Sequence, residues 1–310
     1  MPRRFVIDTD TASDDAVALV LALTEPSISV EAITVVAGNV PLDRAVQNAL
    51  YVRELCGSKA PVYVGAGVPV HDQGPVTAEN VHGEDGMGDI GLPLTGREPD
   101  EGDAVDVLVE LAHRYPGELT LVTLGPLTNV ALALRKDPSI AQLYQRVVVM
   151  GGTGDHSGNI TPTAEFNIYV DPEAAAEVFA SGMPLEMVGW DVSRDHAVLG
   201  PADMDAVRAT GRLGAFCMDI QATLLQFCRD VTNIDGVDLP DPVTVAYAID
   251  PAVATRTRRA FVAVETAGTL TRGMTVVDAL GLTGKEPNAL VVDAADHERF
   301  VAMLHAAGAR

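Results

Sequence analysis

The sequence predicts an α/β fold: a single-domain, mostly parallel, doubly wound sheet flanked by helices. Three observations predict it. Apolar runs of strand length alternate with longer helical patterns along most of the chain. The strand runs are apolar at consecutive residues, as in strands covered on both faces. Polar clusters follow one strand after another, at the carboxyl ends where open α/β sheets bind ligands.

Taken in order, RFVID reads as a buried strand, and Ser13 is suited to cap a helix carrying AVALVLAL, which Pro26 stops. VEAITVVAG is a second strand, followed by a helix from about Asp43 to Cys56. PVYVG is a short third. A Gly-rich loop, HDQGPVTAENVHGEDGMGDIGLP, separates it from the helix DAVDVLVELAHRY. ELTLVTLG is a fourth strand running straight into the helix start PLTNVALAL. RVVVMGG is a fifth, followed by the long polar loop GTGDHSGNITPTAEFN. Then come the helix DPEAAAEVFA, the strand LEMVGW, and helical stretches at 202–209 and 213–227. A helix at 242–249 follows, with Pro242 suited to its first position. The tail adds two short strands, FVAVE and ALVVD, and the helix HERFVAMLHAA. Neither an internal repeat nor a domain boundary shows, so residues 1–310 are expected to form one catalytic domain.

Composition narrows the function. A net charge of −22, with only Lys59, Lys136 and Lys285 as lysines, argues against a nucleic-acid groove and favours a neutral substrate. MPRRFVID enters the first strand directly, so no signal peptide is expected, and AVALVLAL is too short to span a bilayer. Cys56, Cys217 and Cys228 lack metal-ligand spacing and read as buried thiols in a reducing compartment. The expected location is cytoplasmic, with no membrane partner.

The stretch DTDTASDD crowds Asp8, Asp10, Asp14 and Asp15 behind the first strand. Like charges 4 Å apart repel by roughly 4 kcal/mol at an effective dielectric near 20. Asp14 and Asp15 also suit the first turn of a helix, where the dipole contributes only ~0.3–1 kcal/mol each. A divalent cation offsets the repulsion more fully, and oxygen ligands select Ca²⁺ or Mg²⁺. Asp238 and Asp241 form a second acidic element; Asp241 either reaches the same cation or is a plain N-cap.

DTDTASDDA resembles the N-terminal signature of the inosine-uridine-preferring nucleoside hydrolases. VHGEDGMGD, LGPLTNVALAL, MGG…GNITPTAEFNIYVDPEAA and ETAGTLTRGMTVVD resemble further segments of that family, in family order. The resemblance implies the nucleoside hydrolase fold with its site at the strand ends. It also implies one Ca²⁺, cleavage of ribonucleosides to ribose and free base, and a homodimer or homotetramer. By motif, the metal ligands are Asp10, Asp15, Asp241 and the backbone carbonyl of Leu124. Asp10 is the base that takes a proton from water. Asp14, Asn39, Asn159, Glu165 and Asn167, with the carbonyl of Met150, hold the ribose hydroxyls. Asn159 and Asn167 also suit ordinary turns.

One departure stands out. Many members carry a His, assigned to protonating the departing base, where this chain has Pro240. Proline has no proton to give. His82 is the first replacement candidate, His156 the second, and His196 is a rim residue. Trp190 suits stacking on a base but is expected in the core, and Phe227 is placed to cover the base.

Two rivals remain. FVIDTDTA also fits the D-x-D-x-T pattern of haloacid-dehalogenase-type phosphohydrolases, with Asp8 as nucleophile and Asp10 as acid/base. That pattern leaves four motifs unexplained, and the Gly102-Asp103…Asp106 run falls one residue short of the second motif such enzymes need. A nucleoside or ribose binder with little turnover is the reading Pro240 motivates.

Overall fold

The order of strands explains why the polar loops converge. The computed structural model describes residues 2–71, 74, 76–155 and 157–310. In chain order the strands are β1 (Arg3–Thr9), β2 (Ile28–Val35), β3 (Val62–Val64), β4 (Leu119–Thr123), β5 (Tyr144–Met150) and β6 (Leu185–Val188). They continue with β7 (Val198–Leu199), β8 (Val237–Asp238), β9 (Ala254–Val264), β10 (Thr275–Asp278) and β11 (Ala289–Ala295). The large sheet runs β10-β9-β11-β6-β5-β4-β1-β2-β3, while β7 and β8 pair separately. Neighbours from β3 across to β11 are parallel; β9 and β10 finish that side antiparallel.

The chain leaves β1 for β2 and β3 on one side, then returns to β4 on the other. That reversal opens a crevice above the carboxyl ends of β1 and β4. The expected doubly wound sheet is therefore present, with its switch point at the Asp-rich loop.

Successive side chains of a strand point to opposite faces. Phe5 and Ile7 enter one apolar cluster and Val6 the other. The first is covered by the helices Ser13–Thr24, Leu42–Leu55, Pro240–Ile249 and His297–Gly308. The second is covered by Ala104–Arg114, Thr128–Lys136 and Pro172–Ala180. Each fully buried large apolar side chain contributes about 1.5–3 kcal/mol. Aspartates start several of these helices: Asp103, Asp171 and Asp296 each accept a hydrogen bond from a backbone N–H of the first turn. No helix among the described residues is long and apolar enough to cross a membrane.

Several local expectations change. Ala12, not Ser13, occupies the N-cap, and Asp15 Oδ2 accepts from the Ala12 N–H at 2.9 Å. Ser13 is the first helical residue, which frees its hydroxyl for His82. Likewise Pro240, not Pro242, takes the first helical position of Pro240–Ile249. The stretch 213–227 is two helices, Arg212–Asp219 and Ala222–Phe227, parted at the buried Gln221. Gln221 Nε2 donates to the carbonyls of Ser13 and Cys217, a tertiary contact with no sequence signature. The strand read as FVAVE extends over β9 because antiparallel pairing with β11 on one side and β10 on the other carries it further. Cys56 is half-buried, whereas Cys217 and Cys228 are buried as expected.

Candidate active site

Two helix N-termini meet over the crevice. Ser13–Thr24 packs alongside Pro240–Ile249, and each carries acids in its first turn: Asp14 and Asp15 on one, Asp241 on the other. One carboxylate oxygen from each of the three lies within 4.8 Å of the others, all buried. The two positive dipole ends favour these acids, but by too little to balance their mutual repulsion.

Asp10 is close enough to Asp15 and Asp14 to feel their charge. Its Oδ2 accepts from the Asn39 N–H at 2.7 Å, while Oδ1 is buried with no hydrogen-bond partner among the described residues. Gly38 and Gly125 flank it so closely that a Cβ on Gly125 would lie 2.6 Å from Asp10 Oδ1. Gly125→Ala is therefore expected to displace this carboxylate and lower activity at least about tenfold without unfolding the chain, as a kinetic assay beside a thermal melt would read; a misplacement of about 1 Å can cost ~10²-fold. Unchanged kinetics would show that the crowding is relieved elsewhere.

Asp15 is anchored by Thr9 Oγ1 at 2.5 Å and by Asn39 Nδ2 at 3.3 Å. The Leu124 carbonyl, at the end of β4, accepts from Asn167 Nδ2 at 2.7 Å, and the Met150 carbonyl accepts from the same amide at 3.4 Å. The Leu124 side chain packs in the core.

Burial, ahead of the neighbouring charges, pushes these acids up. Asp14 rises to about 7 and Asp15 to about 6, and Asp10 and Asp241 rise well above the usual carboxylate range. Asp14 Oδ1, like Asp10 Oδ1, is buried with no hydrogen-bond partner among the described residues. Orphaned buried oxygens in an all-oxygen donor set fit a hard divalent cation. The residues present are consistent with such an ion.

The cavity above the acids holds about 310 Å³. Asp14, Asn39, Met150, Asn159, Glu165 and Asn167 all line it, as do His82, Leu124 and Asp241. Asn159 is exposed at the rim and Asn167 is buried. Asn159 Oδ1 accepts from the Phe166 N–H at 2.9 Å, and Glu165 caps the helix Phe166–Val170 through the Asn167 and Ile168 N–H groups. The polar loop at 151–167 thus ends as a helix, and these side chains have structural duties besides facing the cavity.

The sequence profile described as inosine-uridine preferring nucleoside hydrolase matches residues 5–302. The chain belongs to this family. It is 40% identical over 302 residues to a pyrimidine-specific ribonucleoside hydrolase RihA of Salmonella schwarzengrund, covering 96% of each chain. Among solved structures it is similar to a plant nucleoside hydrolase, PpNRh1 (31% identity, TM-score 0.92, covering 100% and 99% of the two chains). It is also similar to a purine-preferring ribonucleoside hydrolase of Gardnerella vaginalis (30%, 0.91, covering 99% of each).

In this nucleoside hydrolase the cluster meeting within 4.8 Å contains Asp14 in place of Asp10, so Asp14 stands with the acids as well as on the cavity wall. His82 lines the cavity, with Nδ1 at 2.9 Å from Ser13 Oγ and 3.6 Å from Asp14 Oδ1. Burial pushes its imidazole down to about 4 despite the nearby Asp15 and Asp238. At neutral pH it faces the cavity as a neutral ring, not as a stored proton. His156 lies outside the described residues. His196 ends the helix Trp190–His196 and is not among the residues lining the cavity.

Trp190 corrects the core expectation: it is half-buried in the cavity wall. Its position at the start of that helix lets its indole N–H reach Asp238 Oδ2 at 2.7 Å. Phe227 lines the cavity too, as do Leu224, Val231 and Thr232, which sequence reasoning missed. Leu224 reads as a helix core residue, and nothing local separates it from one. A π-helical turn, Cys228–Thr232, bends this wall, and such turns recur at functional sites.

The haloacid dehalogenase pattern is not assembled. Asp8 is buried in the sheet against Thr34 Oγ1 (2.6 Å) and Asn129 Nδ2 (2.8 Å), outside the cavity wall. Asp103 caps a helix, and Asp106 pairs with Lys136.

Proposed function

We propose that the chain is a Ca²⁺-dependent hydrolase of the N-glycosidic bond of ribonucleosides, giving ribose and free base, with pyrimidine nucleosides preferred. The observation that carries the reading is one cavity lined by Asp14 and Asp241, two of the three clustered acids, and by Asn39, Asn159 and Asn167. Vicinal hydroxyls suit that mixture of carboxylate and amide. The pyrimidine preference rests on the name of the 40%-identical relative, set against the lower identity to the purine-preferring one.

Asp10, Asp15, Asp241 and the Leu124 carbonyl would hold the cation, beside Asp14. When bound, it supplies the positive charge that keeps these acids ionised and acidifies water held beside the sugar. Asp10, enclosed by two glycines, takes the proton as water attacks C1′. Asp14, Asn39, Asn159, Glu165, Asn167 and the Met150 carbonyl hold the ribose hydroxyls. The surrounding carboxylates stabilise the oxocarbenium character of the sugar as the base departs. No carboxylate acts as a nucleophile, unlike in retaining O-glycosidases. The same reading makes residues 1–310 one catalytic domain of a cytoplasmic homodimer or homotetramer.

Reducing-sugar release from purine and pyrimidine ribonucleosides, with and without chelator, tests the proposal. Release abolished by chelator supports it; tight nucleoside binding with no release establishes the binder that Pro240 suggests. Pro240 lines the cavity. Pro240→His is expected to raise purine nucleoside turnover, by up to the ~10²–10⁴-fold that general acid catalysis supplies. No rise in kcat would show that another group already assists departure.

A further inference from the structure

Among the described residues four carboxylates line the cavity: Asp14, Glu165, Asp238 and Asp241. Asp14 and Asp241 belong to the acid cluster, and Glu165 accepts from the backbone N–H groups of Gly152, Asn167 and Ile168. Asp238 differs. It sits at the end of β8, and only 8% of it is exposed. Trp190 Nε1 donates to Oδ2 at 2.7 Å and Cys228 Sγ to Oδ1 at 3.5 Å. Those two donors occupy one site on each oxygen. A carboxylate offers about four, so two remain for a ligand. The donors also fix the plane of the carboxylate, with the Arg194 guanidinium 5.1 Å above the indole ring.

Asp238 lines the cavity with its partner Trp190 and with Phe227, Val231 and Thr232, mostly apolar groups suited to a flat base and not to a sugar. Of the two positions expected to supply a proton, 240 is proline, and His82 Nδ1 is engaged with Ser13 Oγ at 2.9 Å. A carboxylate here disfavours a base that leaves as an anion. It favours a base that leaves already protonated. The bases with that option carry a ring nitrogen beside an exocyclic amine. Once protonated, this amidine edge presents two parallel N–H donors, which a carboxylate accepts in pairs.

We propose that Asp238 selects ribonucleosides whose base carries an amidine edge, cytidine above uridine, and promotes departure by holding that edge protonated. The inference rests on the hydrolase reading above. Cytosine N3 takes a proton from solvent and pairs with Asp238. The C1′–N1 bond breaks with its electron pair going to N1, so the base leaves as neutral cytosine. The attacking water gives its oxygen to C1′ and a proton to Asp10. Uracil has a carbonyl where cytosine has the amine, and gains nothing from the negative charge. Trp190 is a positioning residue in this scheme, since its indole aims the carboxylate.

The test is the ratio of cytidine to uridine turnover. Asp238→Asn keeps the shape and the acceptor for Trp190 while removing the charge. It still binds neutral cytosine through its amide, so KM for cytidine should hold within about threefold. An opposite charge shifts a partner's protonation by about one to three pKa units. The variant's kcat for cytidine should therefore fall about 10–10³-fold while kcat for uridine holds or rises. A cytidine-to-uridine ratio unchanged from that of the unaltered enzyme overturns the inference. Should this variant not accumulate folded, Trp190→Phe carries the test: a lowered ratio supports the inference and an unmoved one overturns it. If the unaltered enzyme releases ribose from no ribonucleoside, the hydrolase reading itself falls, a result distinct from an unmoved ratio.

Discussion

Asp10→Asn is expected to keep the fold and lower ribose release by about 10²–10⁴-fold, the usual contribution of a positioned acid/base group. The substitution is isosteric, and Asp10 Oδ2 already accepts a backbone hydrogen bond from Asn39 that an amide oxygen can also accept. The orphaned Oδ1 loses little by becoming an amide, because no donor within the described residues faces it. What disappears is the capacity to take a proton from water and one negative charge from the cluster. The measurement is kcat for ribose release beside a thermal melt in excess Ca²⁺. Activity close to that of the unaltered protein would remove Asp10 from the role of base. A melt lowered sharply without loss of kcat would make Asp10 a purely structural acid.

Asp241→Asn should lose most of the thermal stabilisation that a divalent cation confers. A ligand at a hundredfold excess over its Kd stabilises the folded state by about 2.7 kcal/mol. Asp241 alone brings the second helix to the cluster, so its charge accounts for much of that gap. Without cation the sign reverses. Burial, then the charges of Asp14, Asp15 and Asp10, push the Asp241 carboxyl upward, so removing it relieves repulsion. The chelated variant should therefore melt no lower than the chelated parent.

The pH dependence carries the same sign. In the chelated protein Asp14 titrates near 7 and Asp15 near 6, above the ~4 of an unfolded chain. The folded state then holds protons that the unfolded state has released, so stability falls as pH rises from about 4 to 7. Saturating Ca²⁺ should flatten that slope. A chelated protein whose stability rises across this window would contradict a buried, repelling cluster.

Much of this was legible in one dimension. The parallel sheet shows in consecutive apolar runs such as FVI and VVV, which only a doubly covered strand tolerates. The switch point shows in the acids after the first strand, and the cavity-lining loop in GNITPTAEFN. Local chemistry was less legible. Ser13 and Pro242 are both good helix starters, yet the first helix is capped one residue earlier, at Ala12 with its N–H held by Asp15, and the second opens two residues earlier, with Pro240. Capping depends on which partner each side chain finds, and Ser13 Oγ finds His82, 69 residues on.

What the sequence determined by itself was therefore the layer order, the family pattern and the identity of the acids, because periodicity and motif are properties of neighbours along the chain. Tertiary structure alone decided which acids meet. It brought Asp14 and Asp15 to Asp241 through two helices packed side by side, and Trp190 to Asp238 across 48 residues. It also buried His82 in the cavity wall, where desolvation pushes its imidazole down, because desolvation depends on what surrounds a group in space and not on what adjoins it in the chain.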